Sequence, residues 1–140
     1  MREINTLVIH CSATSPEQSH IDVSDIRRWH TSPPNNWSDV GYHYVICRSG
    51  DIQIGRPVER PGAHVKGFNE DSIAICLVGG VDKHKRSECN FTAPQWAALE
   101  ELVSALVEKY SICRVCGHRD FPNVYKDCPS FNVRAWWSKK

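Results

Sequence analysis

His10, His118 and Cys128 are the residues of this sequence with the types and spacing of a metal site. His10 closes the apolar run Leu7-Val8-Ile9, which reads as a buried strand. His118 follows a second such run and opens the segment His118-Arg119-Asp120. Cys128 stands ten residues further on, in Lys126-Asp127-Cys128-Pro129. Two imidazoles and a thiolate give zinc three protein ligands and leave the fourth tetrahedral position open for water. That is the layout of a catalytic zinc site, whereas structural sites are closed by four protein ligands. Tyr42 and Lys126, close to these residues in sequence, are candidate handlers of protons and charge. Together these residues make the chain a candidate hydrolase.

Each residue also has a plainer reading. His10 alone fits a core histidine bonded to backbone, His118 alone a loop residue bonded to Asp120, and Cys128 alone an inert buried thiol. The metal reading rests on the three converging from strand ends and a loop. No helix carries a His-Glu-x-x-His pair, so that class of metalloprotease is excluded. His43 and His64 are the rival histidines. His43 neighbours Tyr42 in a strand, so the two point to opposite faces. His64 lies in the glycine-flanked loop Pro61-Gly62-Ala63-His64-Val65-Lys66-Gly67, suited to lining a groove. His20, His30 and His84 lie in polar surroundings and are expected to be solvated. A structural zinc on Cys113, Cys116, His118 and Cys128 is the alternative metal reading. It lacks the second Cys pair usual in such sites, and two cysteines three apart in a strand face opposite sides. A redox role for the pair is weaker still, because an extended loop follows where a helix should start.

The elements that must position these residues follow from periodicity. Thr6 to Ile9 reads as a first buried strand. Asp22 to His30 reads as an amphipathic helix capped by Asp22 and ended by Pro33-Pro34. Tyr42 to Cys47 and Ile52 to Gly55 form a hairpin about Arg48-Ser49-Gly50-Asp51. Ser72 to Val78 is apolar almost throughout, as in a central strand buried on both faces. Thr92-Ala93-Pro94-Gln95 resembles a capping box. Trp96, Leu99, Leu102, Val103, Leu106, Val107 and Tyr110 then form one stripe at helical period. Ile112 to Cys116 reads as a short strand and Asn132 to Trp137 as a short terminal helix. The fold class expected is mixed α/β (α+β), a central mixed sheet flanked by helices.

The sequence has 140 residues, 41% hydrophobic and 24% charged, with net charge +1. These values bound the chain to one compact domain, residues 1–140, and give no electrostatic case for nucleic acid or a membrane surface. The polar N-terminus has no signal-peptide pattern, so a cytoplasmic location is expected. Seven cysteines are an odd number, so complete intramolecular pairing is impossible and reduced thiols are the default. Cys11, Cys47 and Cys76 fall in apolar segments and read as small core residues.

Five segments in one order resemble the zinc-dependent N-acetylmuramoyl-L-alanine amidases of the type-2 family, which also contains the peptidoglycan recognition proteins. They are Val8-Ile9-His10-Cys11-Ser12-Ala13-Thr14, Ile26-Arg27-Arg28-Trp29-His30, Asp39-Val40-Gly41-Tyr42-His43-Tyr44, Ser72 to Gly80, and Lys126-Asp127-Cys128-Pro129-Ser130-Phe131. The resemblance runs from Leu7 to Trp137 and is nearest to the T-odd bacteriophage lysozymes. One departure is visible: the stretch between His118 and Lys126 is about two residues longer than in those lysozymes.

The resemblance implies a mixed sheet with helices on both faces and a groove across one side. It implies one Zn2+ per chain on His10, His118 and Cys128, catalytic roles for Tyr42 and Lys126, and a groove-lining, substrate-binding role for His64. The activity implied is hydrolysis of the amide joining N-acetylmuramic acid to L-alanine in peptidoglycan, by a monomeric phage or prophage endolysin. Without an export signal, such an enzyme needs a holin-type protein to reach the cell wall. The resemblance also offers a non-catalytic muropeptide-binding module. Members of that kind lack a complete ligand set, often with serine where Cys128 stands, and this chain keeps its cysteine. A regulatory reading, inhibition of a phage RNA polymerase, is the remaining alternative; the surface it uses includes an N-terminal segment that here is short.

Overall fold

The computed structural model describes residues 2–140. Its regular elements are β1 (Thr6–Cys11), α1 (Val23–Thr31), β2 (Tyr44–Ile46), β3 (Ile52–Ile54), β4 (Ser72–Leu77), α2 (Ala93–Tyr110), β5 (Arg114–Gly117) and α3 (Val133–Ser138). The strands form one sheet in the order β3-β2-β4-β1-β5. Only β2 and β3 are antiparallel; β2/β4, β4/β1 and β1/β5 are parallel. The mixed sheet flanked by helices expected from the sequence is therefore the observed architecture.

β1 and β4 are buried at every residue, which explains their nearly continuous apolar sequences. Alternation along β1 divides it between two cores. Leu7, Ile9 and Cys11 join Ile73, Ile75 and Leu77 of β4 beneath Leu99, Val103 and Leu106 of α2 and Val133 of α3. Val8 lies on the other face with Val65, Cys116 and Phe121. His10, two residues after Val8, belongs to that second face. A further cluster on Ile21, Ile26, Val40, Val45, Cys76 and Val78 packs α1 and its flanking segments against the sheet.

Helix starts follow their caps. Asp22 accepts from the backbone of Ser24 and Asp25, and Thr92 accepts from Gln95 N while the Gln95 side chain returns to Thr92 N. Gln95 departs from the expected apolar stripe: it is fully buried, whereas Trp96, Leu102, Val107 and Tyr110 are only half-buried. Its Nε2 donates to Ile46 O at 3.1 Å and Val78 O at 2.9 Å, tying the start of α2 to β2 and the end of β4.

Several boundaries differ from the sequence reading. β1 runs on through His10 to Cys11 because its pairing with β4 continues to Leu77. The strand expected over residues 42–47 is regular only from Tyr44 to Ile46. The expected strand at Ile112 begins at Arg114, and the terminal helix is shifted by one residue with Asn132 as its cap. Among the described residues, no helix is long and apolar enough to cross a membrane.

Candidate active site

His10 sits near the C-terminal end of β1, opposite Cys76 of β4, and is 1% exposed. Three rings surround it: Tyr42 at 5.0 Å between centroids, His64 at 4.9 Å and His118 at 4.6 Å. His118 is the first residue of the 3-10 turn that follows β5, the strand paired with β1 on its other side. Two neighbouring parallel strands thus deliver the two histidines to one end of the sheet.

Cys128 comes from the loop after that turn. Arg119 N donates to Cys128 O at 2.9 Å, which draws the loop back beside His118. Gly117 permits this approach, since a Cβ there would lie 2.8 Å from Pro129 Cδ. Cys11 N donates to Cys128 Sγ at 3.2 Å. One donor atom from each of His10, His118 and Cys128 falls within 4.8 Å of the others. Ligands bound to zinc at ~2.0–2.3 Å stand only a little closer together than this. The donor set of two imidazoles and a thiolate fits a zinc ion, and the ordering backbone bond on Cys128 is the kind of support such ligands need.

The electrostatics suit a cation. Burial pushes His10 well below the usual imidazole range, and burial with the nearby Lys126 charge lowers His118. Both imidazoles are thus neutral at neutral pH, the state in which a metal could bind them. Contact with the Cys11 thiol, together with burial, holds the Cys128 thiol above its usual range. A bound dication would reverse that by stabilising the thiolate.

Tyr42 and Lys126 both reach this end of the sheet. Tyr42 stacks between His10 and His30, and burial raises its phenol well above the usual range, so it remains an O–H donor. Lys126 is exposed at the lip. With Cys11, Lys85, Ser87 and Cys128 it lines a depression of about 340 Å³. Lys126 also borders a second depression with His118 and Tyr125. A third, on the far side, is lined by Trp37, Ala63, His64, Lys66 and Asn69. Cys128 borders the first of these depressions and His118 the second, while His10 lies buried behind them.

The other histidines divide as their environments dictate. His43 is no ligand: it is fully buried, its Nδ1 accepts from Ala74 N at 3.0 Å and its Nε2 donates to Arg60 O at 2.8 Å. His20 and His84 are exposed, as expected. His30 is not solvated as expected but half-buried, accepting from Gly41 N at 2.8 Å and lying against Trp37 and Tyr42. The α1 periodicity turns it inward, while Trp29 beside it is 40% exposed. Cys113 is exposed and Cys116 buried, so the alternative four-residue zinc cluster does not assemble. Asp120, the partner His118 would have in its plainer reading as a loop residue, instead accepts from Gly117 N at 2.8 Å.

Two contributors had no signal in the sequence. Ser72 opens a strand and looks like a boundary residue, yet its hydroxyl contacts His64 Nε2 at 3.0 Å. Trp37 lies in a polar loop and forms one wall of the His64 depression.

Known proteins similar to this chain show its family. Residues 1–131 match the family model described as N-acetylmuramoyl-L-alanine amidase. The chain belongs to that family. The amidase is 41% identical over 133 residues to the endolysin of Enterobacteria phage T3, covering 95% of this chain and 85% of that protein. It is 40% identical over 135 residues to the endolysin of Escherichia phage T7, covering 96% and 86%. Among solved structures it resembles the N-acetylmuramoyl-L-alanine amidase LysC of Clostridium intestinale. The TM-score is 0.80 at 27% identity, covering 99% of this chain and 84% of that one. The resemblance read from the five sequence segments and the fold it implied are both borne out, and the chain is an amidase that acts on peptidoglycan.

Proposed function

We propose that this amidase is a zinc-dependent phage endolysin that cleaves the amide between the lactyl group of N-acetylmuramic acid and L-alanine. The observation that carries the reading is the convergence of His10, His118 and Cys128, whose donor atoms lie within 4.8 Å of one another. Residues 1–140 act as a single catalytic domain and the protein works as a monomer, holding one zinc. When bound, zinc would polarise the scissile carbonyl and make water a nucleophile near neutral pH.

The chain's own groups supply the rest. His10 and His118 enter as neutral donors because burial disfavours their cations. Lys126 holds a positive charge at the lip, where oxyanion charge develops on the carbonyl oxygen. Tyr42 keeps its proton, so its O–H can orient the attacking water and pass a proton towards the leaving amine. No glutamate lies among these residues, so proton transfer would fall to Tyr42, Lys126 or the water that zinc would activate. His64, on the wall shared with Trp37 and Asn69, faces the groove into which a glycan or stem peptide fits.

The test pairs two readouts on the purified protein: bound zinc, and release of L-alanine amino termini from purified peptidoglycan with and without a chelator. One zinc per chain with chelator-sensitive release is expected. Zinc without release would turn the assignment to a muropeptide-binding protein. Release that a chelator does not touch would remove the metal from the mechanism.

A further inference from the structure

We propose that Ser72 and His64 form a proton-directing relay that fixes the tautomer of His10, so that His10 presents Nδ1 to the metal. This rests on the zinc reading above and gives His64 a positioning role beyond lining the groove.

The relay begins at a carbonyl. Ser72 Oγ lies 2.8 Å from Phe68 O, and a carbonyl oxygen can only accept. The Ser72 proton is therefore committed to Phe68, and the Ser72 oxygen is left as an acceptor. His64 Nε2 lies 3.0 Å from that oxygen, so it carries the His64 proton and donates. His64 Nδ1 then has a free lone pair. It lies 2.8 Å from His10 Nε2, which must carry a proton to make that contact favourable. His10 Nδ1 is left bare, which is the state a metal ligand requires. Reversing any link would face the Ser72 and Phe68 lone pairs across 2.8 Å, or place a proton on the His10 nitrogen that should bind.

The relay is mechanically fixed as well. Ser72 is fully buried at the start of β4 and His10 is buried on the neighbouring strand. Asn69 Oδ1 accepts from both His64 N and Val65 N at 3.0 Å, which locks the loop that bears the imidazole. Gly62 leaves room for the ring, since a Cβ there would stand 2.9 Å from His64 Cδ2. Residues that orient a metal-ligating histidine through its second nitrogen typically change metal affinity ~10–100-fold when removed.

The experiment has two arms. In the metal-free full-length protein, long-range proton–nitrogen NMR reads each imidazole's tautomer directly. His10 and His64 are both expected as Nε2–H forms; a His10 Nδ1–H form overturns the relay. In the second arm, zinc affinity is measured by chelator competition for wild type, His64→Phe and His64→Asn. His64→Phe should bind ~10–100-fold more weakly. His64→Asn, whose Oδ1 can still accept from His10, should recover most of the loss, and the visible spectrum of the cobalt-substituted protein should follow the same order. If His64→Phe raises KM but keeps wild-type zinc affinity and cobalt spectrum, His64 only lines the groove and the relay is wrong. If wild type itself takes up no zinc, the zinc reading fails, and the tautomer arm still decides the relay.

Discussion

Ser87 Oγ donates to Asp127 Oδ2 at 2.6 Å, joining the loop after β4 to the loop that carries Lys126 and Cys128. Asp127 is also paired with Arg119 at 3.0 Å, and the Ser87 bond helps hold its carboxyl below the usual carboxylate range. The two residues flanking Asp127 are thereby set relative to the sheet without either being buried deeply. Ser87→Ala should lower kcat a few-fold, the effect of losing roughly 0.5–1.5 kcal/mol of loop restraint, while zinc stays at one per chain. Steady-state hydrolysis of peptidoglycan beside metal analysis checks this; an unchanged kcat would mean that Lys126 is placed without the tether.

Removing a ligand should have the larger effect. Cys128→Ser replaces the thiolate by a weak neutral donor, so zinc stoichiometry should fall well below one and release of amino termini should drop to background. Full zinc occupancy in this variant, measured after dialysis, would take Cys128 out of the ligand set.

Tyr42 and Lys126 should separate binding from chemistry. Tyr42→Phe and Lys126→Met are each expected to keep zinc and fold, yet to lose turnover by ~10²–10⁴-fold for proton handling and ~10²–10³-fold for oxyanion stabilisation. Wild-type turnover in Tyr42→Phe would end the role assigned to that phenol.

Stability should depend on pH through His43, which is remote from the metal residues in role. Burial, opposed by its bond to the Arg60 carbonyl, lowers its pKa from 6.5 to about 4. The unfolded chain binds this proton at about 6.5 and the folded one near 4, so between these values unfolding takes up a proton. Stability is full above pH 6.5 and falls as the pH drops towards 4. His43 alone should contribute a loss of about 2 kcal/mol between pH 7 and pH 5. Urea unfolding at the two pH values, with His43 followed by NMR, tests the sign and the source.

Gln95 gives a test of the scaffold. Gln95→Leu keeps the volume but removes one of two donors from each carbonyl, leaving Ile46 O with Val78 N at 3.0 Å and Val78 O with the Arg48 guanidinium at 3.4 Å, so it should cost roughly 0.5–1.5 kcal/mol per lost bond. Urea unfolding measures it, and zinc binding in the folded fraction should be unchanged because the tie lies on the far side of the sheet from His10.

The clustering of His10, His118 and Cys128 was legible in the sequence because its signals are local: a histidine at a strand end and a Lys-x-Cys loop are visible as letters. The sequence carried β1 and β4 because strands buried on both faces are apolar throughout. It misplaced what depends on partners distant in the chain. Gln95 looks like a capping residue until β2 and β4 supply carbonyls for it. His30 looks solvated until Gly41 and Trp37 fold over it. Ser72 looks like a strand boundary until His64 arrives from the preceding loop. The extent of β1 was set by its pairing with β4, which periodicity within residues 6–11 does not encode.

The order of the ligands along the chain has a consequence for synthesis. His10 leaves the ribosome well before Cys128, and the Arg119–Cys128 backbone link can form only after residue 128 has been made. A polypeptide ended before residue 126 lacks the third donor and the lysine beside it. The three-residue cluster is therefore completed only by its last member, and a chain ended before residue 128 would hold two of the three donors.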